Sequence, residues 1–360
     1  MRGRGLIEVE HLAPMARGCS VLGAGGGGDT YTSLLASRHA IERFGPVVLA
    51  DLDDLPDDAL IMPCGYIGAP VVSIEKLGAG EEAGWLRDGL ERVRGGRVAA
   101  LMAAEIGGAN AMQPINWAAH LGLPVVDADG MGRAFPEVPQ VTMEIAGISP
   151  SPSVLTDERG NRLSITAADG AWMERIARAL SVEFGGRASS TEYTMTAAEA
   201  RTATVRGSVS LAIRIGEALA ASGEPMKALR STVGARLLVS GKLTDVERRV
   251  TGGFVRGRAE IEGLGEHRGR TVVLEIQNEN LVALEDGRAL AMVPDIITAL
   301  DAETAEALHT ERLRYGQRVS VIAFPCDPIW RGARGLALAG PRAFGYDFDY
   351  TPLEVPGATA

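Results

Sequence analysis

The residues best suited to chemistry are acids that lie within or beside glycine-rich stretches. Asp127 and Asp129 stand two positions apart in DADGMGRAFPE, so their carboxylates share one face when the chain is extended. Two carboxylates placed in this way can share a proton, hold a metal, or act as a base with its orienting group. An Asp-rich loop with an internal pair to Arg133 explains the same stretch equally well, so both interpretations stay open here.

Two further stretches carry candidate groups. Glu105, in AEIGGAN, follows an apolar run, so its carboxylate is either functional or the partner of a helix N-terminus. Cys64 lies between Pro63 and Gly65, and a cysteine on a glycine turn is a candidate nucleophile or metal ligand. A lone buried cysteine is the commoner outcome. The histidines show no metal-ligand spacing, so the cofactor is left open, with a divalent metal such as zinc as the candidate.

A glycine run precedes Asp29. Five glycines occupy the six positions from Gly23 to Gly28, and the pattern G-x-G-x-x-G is met, with Asp51 at the distance of a ribose-binding acid. The excess of glycine and the negative charge of Asp29 at a helix start weigh against a bound phosphate. We therefore expect no nucleotide cofactor, and we interpret Asp29 as an acidic cap on a turn whose backbone a substrate can approach.

These motifs fall where predicted strands end. Three apolar runs predict strands and four stretches of helical periodicity predict helices, at 47–50, 59–62 and 125–126, and at 82–94, 111–121, 169–186 and 207–222, respectively. The residues before the glycine run, 17–22, are also predicted to form a strand. Strands that alternate with helices predict an α/β fold: a three-layer α/β/α domain with a mainly parallel sheet, over residues 1–228. In such sheets the ligand crevice lies beyond the strand ends.

The sequence pattern changes after about residue 228. Short runs rich in β-branched residues alternate there with glycine or polar breaks, and Glu285–Gly287 predicts a hairpin turn. This pattern predicts a second domain over residues 229–355, a mostly antiparallel, β-barrel-like structure. The aromatic and acidic tail, 341–352, is expected to form its closing strand.

Composition narrows the functional classes. The chain of 360 residues has a formal net charge of -10 and no basic stripe, which argues against nucleic acid and anionic membranes as partners. Its three cysteines stand far apart without a CxxC pair, which fits a reducing compartment. No apolar run reaches the ~18 residues of a membrane span. We expect a cytoplasmic homo-oligomer whose partner is a small molecule.

Five stretches together resemble the S-methyl-thiohydantoin desulfurase family, in the right order along nearly the whole chain: LGAGGGGDTY, the segment 61–76 with MPCGYIGAP, AAEIGGAN, LPVVDADGMGRAFPE and GPRAFGYDFDY. The resemblance implies an N-terminal three-layer α/β domain and a C-terminal β-barrel. It also implies a hydrolase that acts on a small heterocycle, an S-methylated thiohydantoin propionate. Water replaces methanethiol and a hydantoin forms, which is a step in the breakdown of S-methylated ergothioneine.

That reaction needs a base or metal to activate water, donors for the ring carbonyl and nitrogen, and an acid for the leaving thiolate. Asp127 or Asp129 is expected to be the base, and Glu105 the proton donor to the ring nitrogen. The remaining candidates are expected to bind the substrate, through backbone N–H groups, a side-chain amide, a cation for its carboxylate, or contacts of the neighbouring turns: Gly25, Gly26, Gly27, Gly28, Asp29, Asn110, Arg133 and Cys64.

Other functions stay open at this stage. A different cyclic-amide or hydantoin hydrolase, working alone or with a hydantoinase-type subunit, would use the same acids. A non-catalytic subunit of such a complex would use the crevice for binding only. Clustered carboxylates favour catalysis over simple binding. A nicotinamide-dependent oxidoreductase is supported by the glycine run alone.

Overall fold

The computed structural model describes residues 5–68, 72, 75, 76, 78–251 and 254–353. The first part of the chain forms a mixed, mostly parallel sheet with helices, and the second part forms an antiparallel half-barrel sheet. This architecture confirms the fold class predicted from the sequence.

The first sheet has ten strands within the described ranges: β1 (Gly5–Ile7), β2 (Val47–Ala50), β3 (Leu60–Gly68), β4 (Val98–Ala103), β5 (Val125–Asp129), β6 (Ser153–Thr156), β7 (Arg162–Ile165), β8 (Arg187–Thr191), β9 (Met195–Thr196) and β10 (Val205–Arg206). Their order is β1-β2-β5-β4-β3-β8-β6-β7, with β10 beside β5 and β9 beside β3. Strands β2, β5, β4 and β3 pair in parallel. The other pairs are antiparallel.

The helices are α1 (Val9–Leu22), α2 (Thr30–Phe44), α3 (Glu82–Arg94), α4 (Ala109–Leu121), α5 (Thr142–Ala146), α6 (Gly170–Glu183), α7 (Ala197–Ala203), α8 (Ser208–Ala221), α9 (Pro225–Val233) and α10 (Ala333–Ala339). Helices α1, α2, α4 and α8 pack on one another and share a core with one face of the parallel strands. The short helices α5, α7 and α10 and the buried Trp330 cover the opposite face. The sheet therefore lies between two layers.

The second sheet is made of β11 (Arg236–Thr251), β12 (Phe254–Gly263), β13 (Thr271–Gln277), β14 (Glu279–Glu285), β15 (Arg288–Met292), β16 (Ile296–Asp301) and β17 (Arg318–Phe324). The strand order is β15-β14-β13-β12-β11-β17-β16, and every pair is antiparallel. The predicted hairpin turn is confirmed: Asp286 and Gly287, between β14 and β15, both have the left-handed backbone that such turns require.

Two local predictions are wrong. Residues 17–22 belong to helix α1, because Leu12, Met15, Cys19 and Leu22 recur at helical spacing and are all buried. The tail is not a closing strand, because Pro341–Phe344 forms a short 3-10 helix and the described residues after it pair with no strand. The four predicted helices are present as α3, α4, α6 and α8. The predicted domain boundary at residue 228 falls inside α9 and stays a prediction.

Within the ranges described, the structure has no helix both long and apolar enough to cross a membrane.

Candidate active site

A cavity of about 470 Å³ lies beyond the carboxyl ends of the parallel strands β3, β4 and β5. Its walls come from α2, α4, the end of β3, the loops after β4 and β5, and the strand β8 with the residues after it. The turn between β13 and β14 supplies a further wall, from the second sheet. The cavity is therefore built by both sheets.

Four buried glutamates line this cavity, and both carboxylate oxygens of one of them, Glu82, accept from backbone N–H groups at 2.7 and 2.8 Å. The other three carry the candidate chemistry. Glu105, Glu192 and Glu279 are 7%, 8% and 2% exposed, and each has one carboxylate oxygen that makes no hydrogen bond to the described residues. Burial raises the pKa of Glu105 to about 8 and that of Glu192 to about 7. Burial also raises the pKa of Glu279 well above its usual value. These groups can exchange or hold protons near neutral pH.

Glu105 is held by Asn110 at the start of α4. The Asn110 amide donates to Glu105 Oε1 at 2.6 Å and to the Tyr66 carbonyl at 3.2 Å, while its oxygen accepts from the Tyr66 N–H at 2.9 Å. The amide group of Asn110 is thus occupied by protein partners. Asn110 therefore orients Glu105, and this placement does not support the expected direct hydrogen bond from Asn110 to the substrate.

Glu192 follows β8 and is fixed by its neighbours. The Ser190 hydroxyl donates to Glu192 Oε2 at 3.2 Å, which partly offsets the effect of burial on the glutamate pKa. The next residue, Tyr193, is buried with φ at 52°, a backbone conformation that bulky residues rarely adopt. Its hydroxyl donates to Glu144 Oε2 at 2.6 Å. This contact anchors the unusual turn that presents Glu192.

Arg187 brings a positive charge to the same cavity. It is 6% exposed, and its guanidinium carbon lies 4.3 Å from the centre of the Tyr66 ring, in a cation–π contact. None of the ion pairs between described residues includes Arg187, although it lines the cavity. Taking a guanidinium out of water without a carboxylate partner is costly, so an anionic ligand is the natural counter-charge.

The glycine run forms part of the wall next to α4. Gly26, Gly27 and Gly28 line the cavity. The Ala109 N–H donates to the carbonyls of Gly27 and Gly28, at 2.8 and 3.1 Å. A Cβ on Gly27 would lie 2.3 Å from the Gly107 carbonyl oxygen, and Gly27 has a φ of 72°, so this position requires glycine. The run therefore docks closely on the loop that carries Glu105.

Gly25 and Asp29, towards the two ends of the glycine run, make contacts outside this wall. Gly25 does not line the cavity, and its carbonyl accepts from the Thr310 N–H at 2.8 Å, which ties the run to the second half of the chain. Asp29 lines the cavity, caps α2 by accepting from the Tyr31 N–H at 2.9 Å, and pairs with Arg312. Because the residues before the run form α1, the strand that a dinucleotide-binding fingerprint needs does not precede it.

The aspartate pair does not line the cavity. Asp127 accepts from the Ser210 N–H at 3.0 Å and from its hydroxyl at 2.5 Å. Asp129 is fully buried, and its Oδ2 accepts from three backbone N–H groups at 2.8–2.9 Å, those of Ile106, Met131 and Gly132. Burial raises the pKa of Asp129 to about 7. Asp129 thus fixes the loops after β4 and β5, and the expected role of either aspartate as base is not supported by this placement.

Arg133 and Cys64 also lie outside the cavity lining. Arg133 is fully buried and donates to the carbonyls of Pro294 and Asp295 at 2.8 and 2.9 Å, so it joins the two halves of the chain and does not face a substrate carboxylate. Cys64 is fully buried, with Sγ 3.6 Å from the Met102 carbonyl oxygen. Burial raises the pKa of this thiol, which disfavours the reactive thiolate.

Among the described residues, no group of three or more His, Cys, Asp and Glu side chains is arranged to hold a metal ion. Of the site residues predicted from the sequence, those that line the cavity are Glu105, Asn110, Gly26–Gly28 and Asp29. Sequence reasoning missed Glu192, Glu279 and Arg187. The only local signal for them is a charged residue beside a strand end, and Arg187 and Glu279 also follow residues in left-handed backbone.

Known proteins resemble the chain over nearly its full length. A family model described as "S-Me-THD-like, N-terminal domain" matches residues 10–167, and one described as "S-Me-THD-like, C-terminal domain" matches residues 168–353. The X-ray crystal structure of a protein from Chromobacterium violaceum is 26% identical over 97% of this chain and 100% of that chain, with a TM-score of 0.80. No curated protein matches.

Proposed function

Because the chain belongs to the S-Me-THD-like family, we propose that it is a hydrolase that replaces the methylthio group of an S-methyl-thiohydantoin with the oxygen of water. The observation that carries this proposal is the cavity with buried carboxyl groups whose pKa values are raised to about 7 and about 8. Such groups can take and give protons at neutral pH. The volume of about 470 Å³ suits a small heterocycle.

In the first step, water attacks the ring carbon that carries sulfur. The Glu192 carboxylate takes a proton from the water as its oxygen bonds to that carbon. The carboxylic acid of Glu105 gives its proton to the ring nitrogen as the C=N double bond becomes a single bond. The product of this step is a neutral tetrahedral intermediate with hydroxyl and methylthio groups on one carbon.

In the second step, the carbon–sulfur bond breaks. The departing methanethiolate takes the proton that Glu192 now carries, and the hydroxyl proton of the intermediate returns to Glu105 as the carbonyl forms. The products are methanethiol and a hydantoin, and both glutamates regain their starting protonation states. One water molecule is consumed for each thiol released.

Arg187 supports a substrate that bears a carboxylate, such as a propionate side chain. Its guanidinium has no carboxylate partner among the described residues and rests on the Tyr66 ring, 4.3 Å from the centroid. A charge-assisted hydrogen bond from this group would orient the heterocycle, with its reacting carbon towards Glu105 and Glu192. In this proposal Arg187 takes the role that the sequence suggested for Arg133.

The direct test incubates the purified protein with S-methyl-thiohydantoin propionate and measures free thiol. The native protein is expected to release thiol, while Glu105→Gln and Glu192→Gln should each lower kcat by about a hundredfold, because each removes one proton-transfer group. Glu262→Gln, at an exposed position on the second sheet, is the matched control. Absence of thiol release from the folded native protein would overturn the proposal.

A further inference from the structure

Glu279 is a buried carboxyl group that the proposed reaction leaves unused. It opens β14, lines the cavity and is 2% exposed. Its Oε2 is buried and has no hydrogen-bond partner among the described residues. A buried polar atom without a partner costs free energy, and Glu279 lines the cavity, so this carboxyl group points to a partner that belongs to the ligand.

The residues on either side of this glutamate are firmly tied. Asn278 has a left-handed backbone, with φ at 55°, and its N–H donates to the Val255 carbonyl at 2.7 Å. The Thr310 hydroxyl donates to the Asn278 carbonyl at 2.6 Å. The Asn280 N–H donates to the carbonyl of Ala24, at the glycine run, at 2.8 Å. The second sheet therefore presents one carboxyl group to the cavity from a fixed turn.

Gly26 supplies the space that this carboxyl group occupies. A Cβ built on Gly26 would lie 2.0 Å from Glu279 Oε1 and 2.5 Å from its Cδ, and its three nearest atoms all belong to Glu279. Gly26 is not among the residues with positive φ, so its backbone admits alanine. The absence of a side chain at Gly26 thus leaves room for the Glu279 carboxyl group.

We propose that Glu279 is a third substrate-contacting group, which donates a hydrogen bond from its carboxylic acid to an exocyclic carbonyl oxygen of the ring; this rests on the proposed function. That carbonyl is conjugated, through a ring nitrogen, with the carbon that water attacks. It takes up part of the negative charge that develops, and a fixed donor stabilises that charge. No proton leaves Glu279 in either step.

The groups around Glu279 favour its neutral, donating form. Burial raises its pKa most, and the nearby carboxyl of Glu105 raises it further, as does Glu311. The Arg133 guanidinium lowers the pKa but does not outweigh burial. A neutral acid at working pH has an O–H to offer, which an ionised carboxylate lacks.

The first experiment compares two replacements. Glu279→Gln keeps a neutral N–H donor and should retain kcat within about fivefold, while Glu279→Leu removes the donor and should lower kcat by about a hundredfold with a smaller change in KM. Glu262→Leu, on the exposed side of the same sheet, is the matched control. A purely structural role would not make the glutamine variant active and the folded leucine variant inactive.

The second experiment uses Gly26 and does not depend on the folding of the leucine variant. Gly26→Ala should lower kcat by about tenfold or more, because the added carbon displaces the Glu279 carboxyl. In a Glu279→Ala background the same change should cost almost nothing further, since no carboxyl remains to be displaced. Full additivity of the two changes would overturn the proposal.

The outcomes separate this inference from the proposed reaction. Normal thiol release in native, Gln and Leu proteins alike would overturn the role of Glu279 and leave the reaction standing. If the native protein releases no thiol, its binding of the hydantoin propionate is measured by calorimetry. Binding that is tenfold weaker in Glu279→Leu, but not in Glu279→Gln, would support the carbonyl contact, and equal binding by all three proteins would overturn it. Absence of both turnover and binding would overturn both proposals.

Discussion

Replacing Glu105 with glutamine, which cannot ionise, should stabilise the protein at alkaline pH, because the folded state disfavours the ionised form of this carboxyl group. Burial raises its pKa from 4.5 to about 8. When the pKa of a carboxyl group is higher in the folded protein than in the unfolded one, its contribution to the free energy of unfolding is complete at a pH below the unfolded pKa. This contribution is lost as the pH rises through the folded-state pKa. Each pKa unit corresponds to about 1.4 kcal/mol, so between about pH 5 and pH 8 Glu105 removes roughly 3 kcal/mol of stability.

Glu105→Gln removes this titration and keeps an oxygen that can accept from Asn110, which now donates to Glu105 Oε1 at 2.6 Å. The difference in free energy of unfolding between variant and native protein should therefore grow in favour of the variant by roughly 3 kcal/mol from about pH 5 to pH 8. Urea unfolding at several pH values measures it. Glu183→Gln, on an exposed part of α6, is the control for the same substitution outside the cavity. A constant difference for Glu105→Gln would refute the assignment of a protonated Glu105.

Three further predictions concern activity and stability. The plot of kcat/KM against pH should be bell-shaped, with its acidic limb near the pKa of about 7 for Glu192 and its alkaline limb near the pKa of about 8 for Glu105. Glu192→Gln should remove the acidic limb. A flat profile for the native protein contradicts these roles. Arg187→Met should raise KM about tenfold to a hundredfold for a carboxylate-bearing substrate and leave that of a neutral analogue unchanged; equal effects on both contradict the anion contact. Asp127→Asn should lower the free energy of unfolding by about 1–3 kcal/mol, through its hydrogen bonds with Ser210, with kcat changed less than about threefold. A large loss of kcat at unchanged stability would restore Asp127 as a catalytic candidate.

The fold was predictable where short-range pattern and burial agree. In α3, Leu86 and Leu90 recur at helical spacing and are buried, while charged residues occupy the exposed side. The run Val47–Ala50 is apolar and becomes a mostly buried strand. The prediction of a strand at 17–22 is wrong because the few apolar residues there fit either a strand or a helix, and only the longer helical spacing back to Leu12 distinguishes the two.

The candidate site was less predictable because its charges come from distant parts of the chain. Glu192 follows β8, RASST, whose residues are all buried although most are small and polar, so the sequence did not indicate a core strand there. Glu279 lies more than a hundred residues after Glu137, where the fourth predicted motif ends, and its turn is tied to the glycine run by a backbone hydrogen bond. The acids at 127 and 129 stood out in sequence, yet hydrogen bonds direct both into the protein.

The most direct test of the central claim follows the oxygen of water into the product. Native protein is incubated with S-methyl-thiohydantoin propionate in ¹⁸O-labelled water, thiol is measured, and the hydantoin is analysed by mass spectrometry. We predict one labelled oxygen in the hydantoin for each methanethiol released, with both products lost together in Glu192→Gln. Release of thiol without the label, or an unlabelled and unchanged substrate after incubation with folded protein, would contradict hydrolysis at the sulfur-bearing carbon.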